Sequence, residues 1–213
     1  MIDMDRDFWH RKWASNEIGF HEGAANPLLL AHFGRLGLAP GGRVFVPLCG
    51  KSLDLHWLLA QGYRVAGVEL SRLAVDQLFA ELGLTPEVTV LADLLHYRAQ
   101  EIDIFVGDLF ALSATLLGPI DAVYDRAALV ALPQAMRARY AAHVSELAAR
   151  AAQLLICYQY QQALMAGPPF SVRDDEVRQL YGHAYTLTLL DKAEVAGGFK
   201  GRLAALEAVW LLA

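Results

Sequence analysis

Hydrophobic residues in this chain gather into short runs, and most runs are followed by a stretch in which apolar positions recur at helical spacing. Residues 44–48 read V-F-V-P-L and end beside Gly50. A run that is apolar at successive positions suits a strand buried on both faces. Residues 52–60 then take the three-to-four-residue period of a helix that stops at Gly62, and 64–70 (R-V-A-G-V-E-L) give the next strand. A helix over 73–82 stops at Gly83, where a glycine favours helix termination. Further strands are predicted over 102–106, 122–124 and 153–158, a long amphipathic helix over 134–149 after Pro133, and a short helix over 176–181. Residues 185–190 and 206–212 close the chain as strands with no convincing helix between them.

Strands alternating with helices at this spacing imply βαβ units with right-handed crossovers. The predicted fold class is therefore α/β, a doubly wound sheet that is mostly parallel with an antiparallel edge strand. The first 40 residues differ. Asn26-Pro27 and Ala39-Pro40-Gly41-Gly42 bracket a short amphipathic helix over 28–38, and Trp9 and Trp13 are spaced i, i+4. This segment is too short to hold its own core. We expect one domain over 1–213, in which 1–40 is an N-terminal lid or extension on an α/β core of 41–213.

Composition narrows the partners. Of 213 residues, 55% are hydrophobic and 19% charged, a globular balance that argues against disorder. A formal net charge of −5 leaves no electrostatic footprint for nucleic acid. The apolar runs are strand-sized, so no membrane span is expected. Met1 to Trp13 is charged and aromatic, without the apolar stretch of a signal peptide. Two cysteines, Cys49 and Cys157, make no disulfide framework, which suits a reducing, cytoplasmic setting. The seven histidines are scattered without metal-ligand spacing, so no metal is expected.

In an open α/β sheet, ligands bind at the carboxyl ends of the strands. Four candidate positions fall there. Gly50, in Pro47-Leu48-Cys49-Gly50-Lys51-Ser52, permits close approach of backbone to a ligand. With one glycine in place of G-x-G-x-x-G, the turn offers no cradle for a pyrophosphate. Glu69 lies 19 residues beyond Gly50, where an acidic residue can accept from ribose hydroxyls; the alternative is a solvated strand end. Asp108 could accept from an adenine amino group while Leu109 packs on the base, or it caps the next helix. Asp125-Arg126 closes the following strand. Successive strand side chains point to opposite faces, so the two groups should diverge, and an ion pair between Asp125 and a remote arginine is the structural alternative. A ribose acceptor without a pyrophosphate cradle suits an adenosyl ligand lacking phosphates, such as S-adenosyl-L-methionine.

Six pieces of the chain, in order, carry a resemblance. They are Phe8-Trp9-His10-Arg11-Lys12-Trp13, Ile18-Gly19-Phe20-His21, the Pro47–Asp54 run P-L-C-G-K-S-L-D, Val65-Ala66-Gly67-Val68-Glu69-Leu70-Ser71, the run D-R-A-A-L-V-A-L-P over 125–133, and Gly167-Pro168-Pro169-Phe170. Together they resemble thiopurine S-methyltransferases of the bacterial type over nearly the whole chain. The resemblance implies a class I methyltransferase (Rossmann-like) fold with S-adenosyl-L-methionine as methyl donor. It implies donor-binding roles for Trp13, Leu48, Glu69 and Arg126, which join Gly50 as read from the turn itself, with Asp108 and Leu109 at the adenine, and places Phe20 in the acceptor site. Arg126 would pair with the donor's carboxylate or stabilise the acceptor's developing anion, the one catalytic role expected. Tyr158, Tyr160 and Met165 line the acceptor pocket or pack in the core.

The implied activity is S-methylation of thiopurines or related small thiol compounds. A thiolate is already a strong nucleophile, so no catalytic triad is expected. The rival readings are transfer to other small nucleophiles (selenium or tellurium species, hydrosulfide, halide) and a non-catalytic S-adenosylmethionine-binding module. The absence of an obvious spare apolar stripe favours a monomer.

Overall fold

The structure is a computed structural model that describes residues 6–18, 21–195, 197–199, 201 and 203–213. Five parallel strands form its centre: β1 (Arg43–Pro47), β2 (Arg64–Glu69), β5 (Ile102–Val106), β6 (Ala122–Arg126) and β7 (Ala152–Gln159). Antiparallel pairs extend both edges. β3 (Glu87–Leu91) and β4 (Leu94–Ala99) join β5, while β9 (Leu206–Leu212) joins β7 and carries β8 (Leu187–Glu194) outside it. The sheet order is β3-β4-β5-β2-β1-β6-β7-β9-β8.

The central strands are apolar on both faces because helices cover both. Val44, Val46, Val65, Ile104 and Ile156 pack towards α2 (Pro27–His32), α3 (Leu53–Ala60) and α4 (Arg72–Leu82). Phe45, Ala66, Phe105, Val123 and Leu155 pack towards α5 (Ala114–Leu117), α6 (Gln134–Leu147) and α7 (Asp174–Tyr181). α1 (Arg6–Ala14) buries Trp13. No described helix is long and apolar enough to cross a membrane.

The predicted α/β architecture is observed, with differences at the edges. The β3–β4 hairpin has no counterpart in the hydrophobic pattern. β3 is an edge strand whose first four residues are exposed, so nothing there selects an apolar face. The segment over 28–38 is α2 followed by a 3-10 turn, Phe33–Leu36, because Gly37 takes a left-handed φ of 63° and ends it. β8 begins later and runs further than 185–190. A bulge between Leu189 and Asp191 lets the ladder with β9 continue through polar, exposed residues.

Gly67 in mid-strand is a packing requirement. A Cβ there would stand 2.8 Å from both Cys49 Sγ and Ile104 Cδ1. Gly67→Val should therefore destabilise the protein by about 3 kcal/mol through overpacking, seen as a lower denaturation midpoint.

Candidate active site

The chain leaves β1 through a sharp turn in which Leu48 (φ 48°) and Gly50 (φ 53°) both take left-handed conformations. Ser52 then caps α3 by accepting from Asp54 N at 3.2 Å. The turn closes against the end of β2, where Glu69 is only 6% exposed. Its Oε2 accepts from Gly50 N at 2.9 Å and its Oε1 from Ser71 N at 2.8 Å. Burial raises its pKa, while the Ser71 and Gly50 N–H groups oppose the shift by favouring the anion. Each carboxylate oxygen keeps further acceptor capacity. Trp13 lies directly on the turn, its ring 3.0 Å from where a Gly50 Cβ would stand.

Beside this turn a cleft opens over the carboxyl ends of β1, β2 and β5. Leu48, Leu70, Leu109, Phe110 and Met136 supply apolar walls. At its rim the Arg139 guanidinium stands 3.8 Å over the Phe110 ring centroid. Asp108 spends one oxygen capping the turn after β5, accepting from Phe110 N at 3.0 Å, and pairs the other with Arg6 of α1. Capping, the structural alternative for Asp108, is thus what the structure displays.

Asp125 and Arg126 diverge as strand alternation requires. Asp125 is fully buried on the α6 side and accepts from Tyr140 OH and Leu129 N; no arginine pairs with it among the described residues. Arg126 emerges on the other side, pairing with Glu22 and lying 3.5 Å from Asp54 Oδ2. Asp54 also accepts from Asn26 N at 2.7 Å and Tyr124 OH at 3.0 Å. Asn26 Nδ2 reaches Glu22 at 3.2 Å, which closes a ring of polar groups between the N-terminal segment and β6. The Arg126 Nε is buried and has no acceptor among the described residues. Tyr158, facing the same charge cluster, is pushed up to about 12, first by burial and then by Glu207.

The family profile described as Thiopurine S-methyltransferase (TPMT) matches residues 4–209. A thiopurine S-methyltransferase of Xanthobacter autotrophicus is 58% identical over 98% of this chain and 99% of its own length. One from Teredinibacter turnerae is 53% identical over 98% and 97%. The chain belongs to the thiopurine S-methyltransferase family.

The fold agrees with that membership. The crystal structure of a Burkholderia thailandensis 1,6-didemethyltoxoflavin-N1-methyltransferase superposes with a TM-score of 0.67, covering 97% of this chain and 86% of that one at 17% identity. The fold is the Rossmann-like class I methyltransferase fold, and membership of the thiopurine S-methyltransferase family makes S-adenosylmethionine the methyl donor. The residues fit such a group. A buried carboxylate fixed by two backbone N–H groups adjoins a cleft with apolar walls, and the turn after β1 carries the single Gly50 where a pyrophosphate cradle needs several glycines.

Of the residues predicted for the site, Leu48, Asp108 and Leu109 line the cleft. Gly50 and Glu69 meet at the adjoining turn with Trp13 of α1 packed on it, and Arg126 lies in the ring with Glu22 and Asp54. Phe20 falls outside the described residues. Sequence reasoning misses Arg6, Glu22 and Asp54 as site residues; Asp54 ends the P-L-C-G-K-S-L-D run, yet only partners across the fold mark the three. Cys49 is buried, and burial followed by the Glu69 charge raises its thiol well above the ordinary value, which disfavours the thiolate that a nucleophile requires. Gly50→Ala should displace Trp13 and strain the turn. We expect about a tenfold loss of donor affinity together with a loss of about 1–2 kcal/mol of stability, measured by calorimetry beside thermal melting.

Proposed function

We propose that this chain transfers the methyl group of S-adenosylmethionine to the sulfur of a thiopurine or a related small thiol at the carboxyl ends of β1, β2, β5 and β6. The observation that carries the site assignment is the Glu69 carboxylate, buried and braced by Gly50 N beside an apolar cleft. S-adenosylmethionine, when bound, supplies a sulfonium-activated methyl group open to in-line attack by a thiolate. Glu69 accepts hydrogen bonds from the ribose hydroxyls. Leu48, Leu109 and Phe110 flank the adenine, with Asp108 at its edge. Trp13 covers the turn and presents a π-face to the cationic donor. Arg126 orients a carboxylate or the developing anion through its fork of N–H groups. Residues 1–40 act as a lid. Holding both reactants aligned is the chain's main contribution to rate.

An aromatic group that begins at Tyr158, which lies within electrostatic reach of Arg126, favours a flat acceptor over halide or hydrosulfide. The Tyr160 and Phe199 rings are 3° from parallel with centroids 6.1 Å apart, and Tyr158 meets Phe199 at 4.9 Å. Two free, buried cysteines accord with a cytoplasmic setting, and we take the enzyme to act as a monomer. The test is a methyl-labelled donor incubated with thiopurines, aliphatic thiols, selenite and iodide. The proposal expects labelled S-methyl product foremost from thiopurines. Label on iodide or selenite alone would overturn the acceptor assignment, and donor binding without any turnover would identify a binding module.

A further inference from the structure

Asp125 has no role in the chemistry described so far, yet its surroundings are unusually demanding. It ends the buried part of β6 at 0% exposure. Its Oδ2 accepts from Tyr140 OH at 2.8 Å and its Oδ1 from Leu129 N at 3.2 Å, with Ala128 N–H as a further donor. Between Asp125 and those amides the chain reverses through Ala127, at φ 62°. The turn so formed has two consequences. It sets the direction in which Arg126 leaves the strand, and its Val130 O accepts from Phe170 N, the residue after the two prolines. Tyr140, the other partner, belongs to α6 and borders the cleft whose walls include Leu109 and Met136.

We propose that Asp125 is a positioning residue for methyl transfer, a buried carboxylate that fixes both the turn carrying Arg126 and the α6 wall of the donor cleft. The inference rests on the donor-site reading above. An alternative role, simple stabilisation of the core, makes the opposite prediction about stability. Burial pushes the Asp125 pKa up to about 6, against the hydrogen bonds that favour its anion. A carboxyl group raised in the folded state favours folding most in acid, and that contribution is lost as pH rises through the folded value. At neutral pH the fold therefore holds a charge that an isosteric amide would spare it. The groups facing Asp125 are Tyr140 from α6, Tyr181 from α7 and Cys157 from β7, with Arg126 next to it in the chain. Burial raises Tyr140, Tyr181 and Cys157 well above their ordinary values, so none of them titrates near Asp125. Beyond Cys157 lie Arg137 and its partner Glu176.

The test compares wild type with Asp125→Asn and Tyr140→Phe. Each is measured for S-adenosylhomocysteine affinity by calorimetry from about pH 5 to 8, for kcat with a thiopurine, and for thermal midpoint. Asparagine keeps an acceptor for Leu129 N but turns an N–H towards the Tyr140 hydroxyl, so the tyrosine must reorient. The expected result for Asp125→Asn is a fall of about tenfold or more in kcat and a weaker affinity, with a thermal midpoint near pH 8 equal to or above that of wild type. The weakening of wild-type affinity towards acid should be reduced in this variant. Tyr140→Phe should retain the fold and lose about threefold in affinity. Wild-type activity and affinity profile in Asp125→Asn would overturn the proposal. So would a lowered midpoint near pH 8 together with normal affinity in Tyr140→Phe, since that combination belongs to a purely structural group. If wild type itself fails to bind S-adenosylhomocysteine, the donor-site reading falls first.

Discussion

Glu69→Ala is expected to weaken binding of S-adenosylmethionine by about a hundredfold or more. Two effects combine. The Gly50 and Ser71 N–H groups lose their common acceptor in a buried place, which loosens the turn beneath Trp13. The ribose loses a charged acceptor, an interaction worth about 1.5–3 kcal/mol. Together they amount to about 3 kcal/mol, and each 1.4 kcal/mol is a factor of ten in affinity. Glu69→Gln keeps one oxygen but turns an N–H towards the other amide, so an intermediate loss of about tenfold is expected. Because burial raises the Glu69 pKa, acid should neutralise it sooner than a solvated glutamate, and donor affinity should fall in the same direction. Calorimetric titration of folded variants measures all three effects. Unchanged affinity in Glu69→Ala would remove the carboxylate from the donor site.

Arg126→Ala should produce the largest loss of turnover, about a hundredfold or more. It should also destabilise the fold. The guanidinium lies between Glu22 and Asp54, and removing it leaves the buried Asp54, among the described residues, with Asn26 N and Tyr124 OH to compensate its charge. Breaking a buried pair from one side costs about 3 kcal/mol or more. Arg126→Lys separates the two consequences. A lysine restores the charge beside Asp54 and hence most of the stability, but it lacks the planar fork that orients a carboxylate, so turnover should stay low. Denaturant midpoints and steady-state kinetics on the pair decide between a positioning arginine and a merely structural one. If turnover and donor affinity both stay near wild type in Arg126→Ala, the assignment of Arg126 is wrong.

The legible parts of the fold were those governed by burial. Strands such as Val44-Phe45-Val46 are apolar at every position because helices cover both faces, and that condition leaves its mark in the letters. The β3–β4 hairpin obeys a different rule. Its place is set by backbone pairing of β4 with β5, from Leu95 opposite Val106 to Ala99 opposite Ile102, and exposed Val88 and Val90 lie on an edge where sequence is little constrained. The site divides in the same way. Gly50 and Glu69 could be related by their spacing along a βαβ unit, since local geometry fixes where each strand ends. Glu22 and Asp54 could not, because their shared partner, Arg126, is more than seventy positions further along the chain and meets them only after the N-terminal segment has folded across. Trp13 was legible through the family motif; the Gly50 Cβ position beneath its ring is what gives that match a physical cause.

Methyl transfer by this chain depends on a seat for a phosphate-free adenosyl group between Glu69 and the apolar cleft. The most direct measurement is calorimetric titration of the purified protein with S-adenosylhomocysteine, run beside NAD under the same conditions. We predict one S-adenosylhomocysteine bound per chain and no detectable heat of binding from NAD. Failure to bind S-adenosylhomocysteine, or equal binding of the dinucleotide, would contradict it.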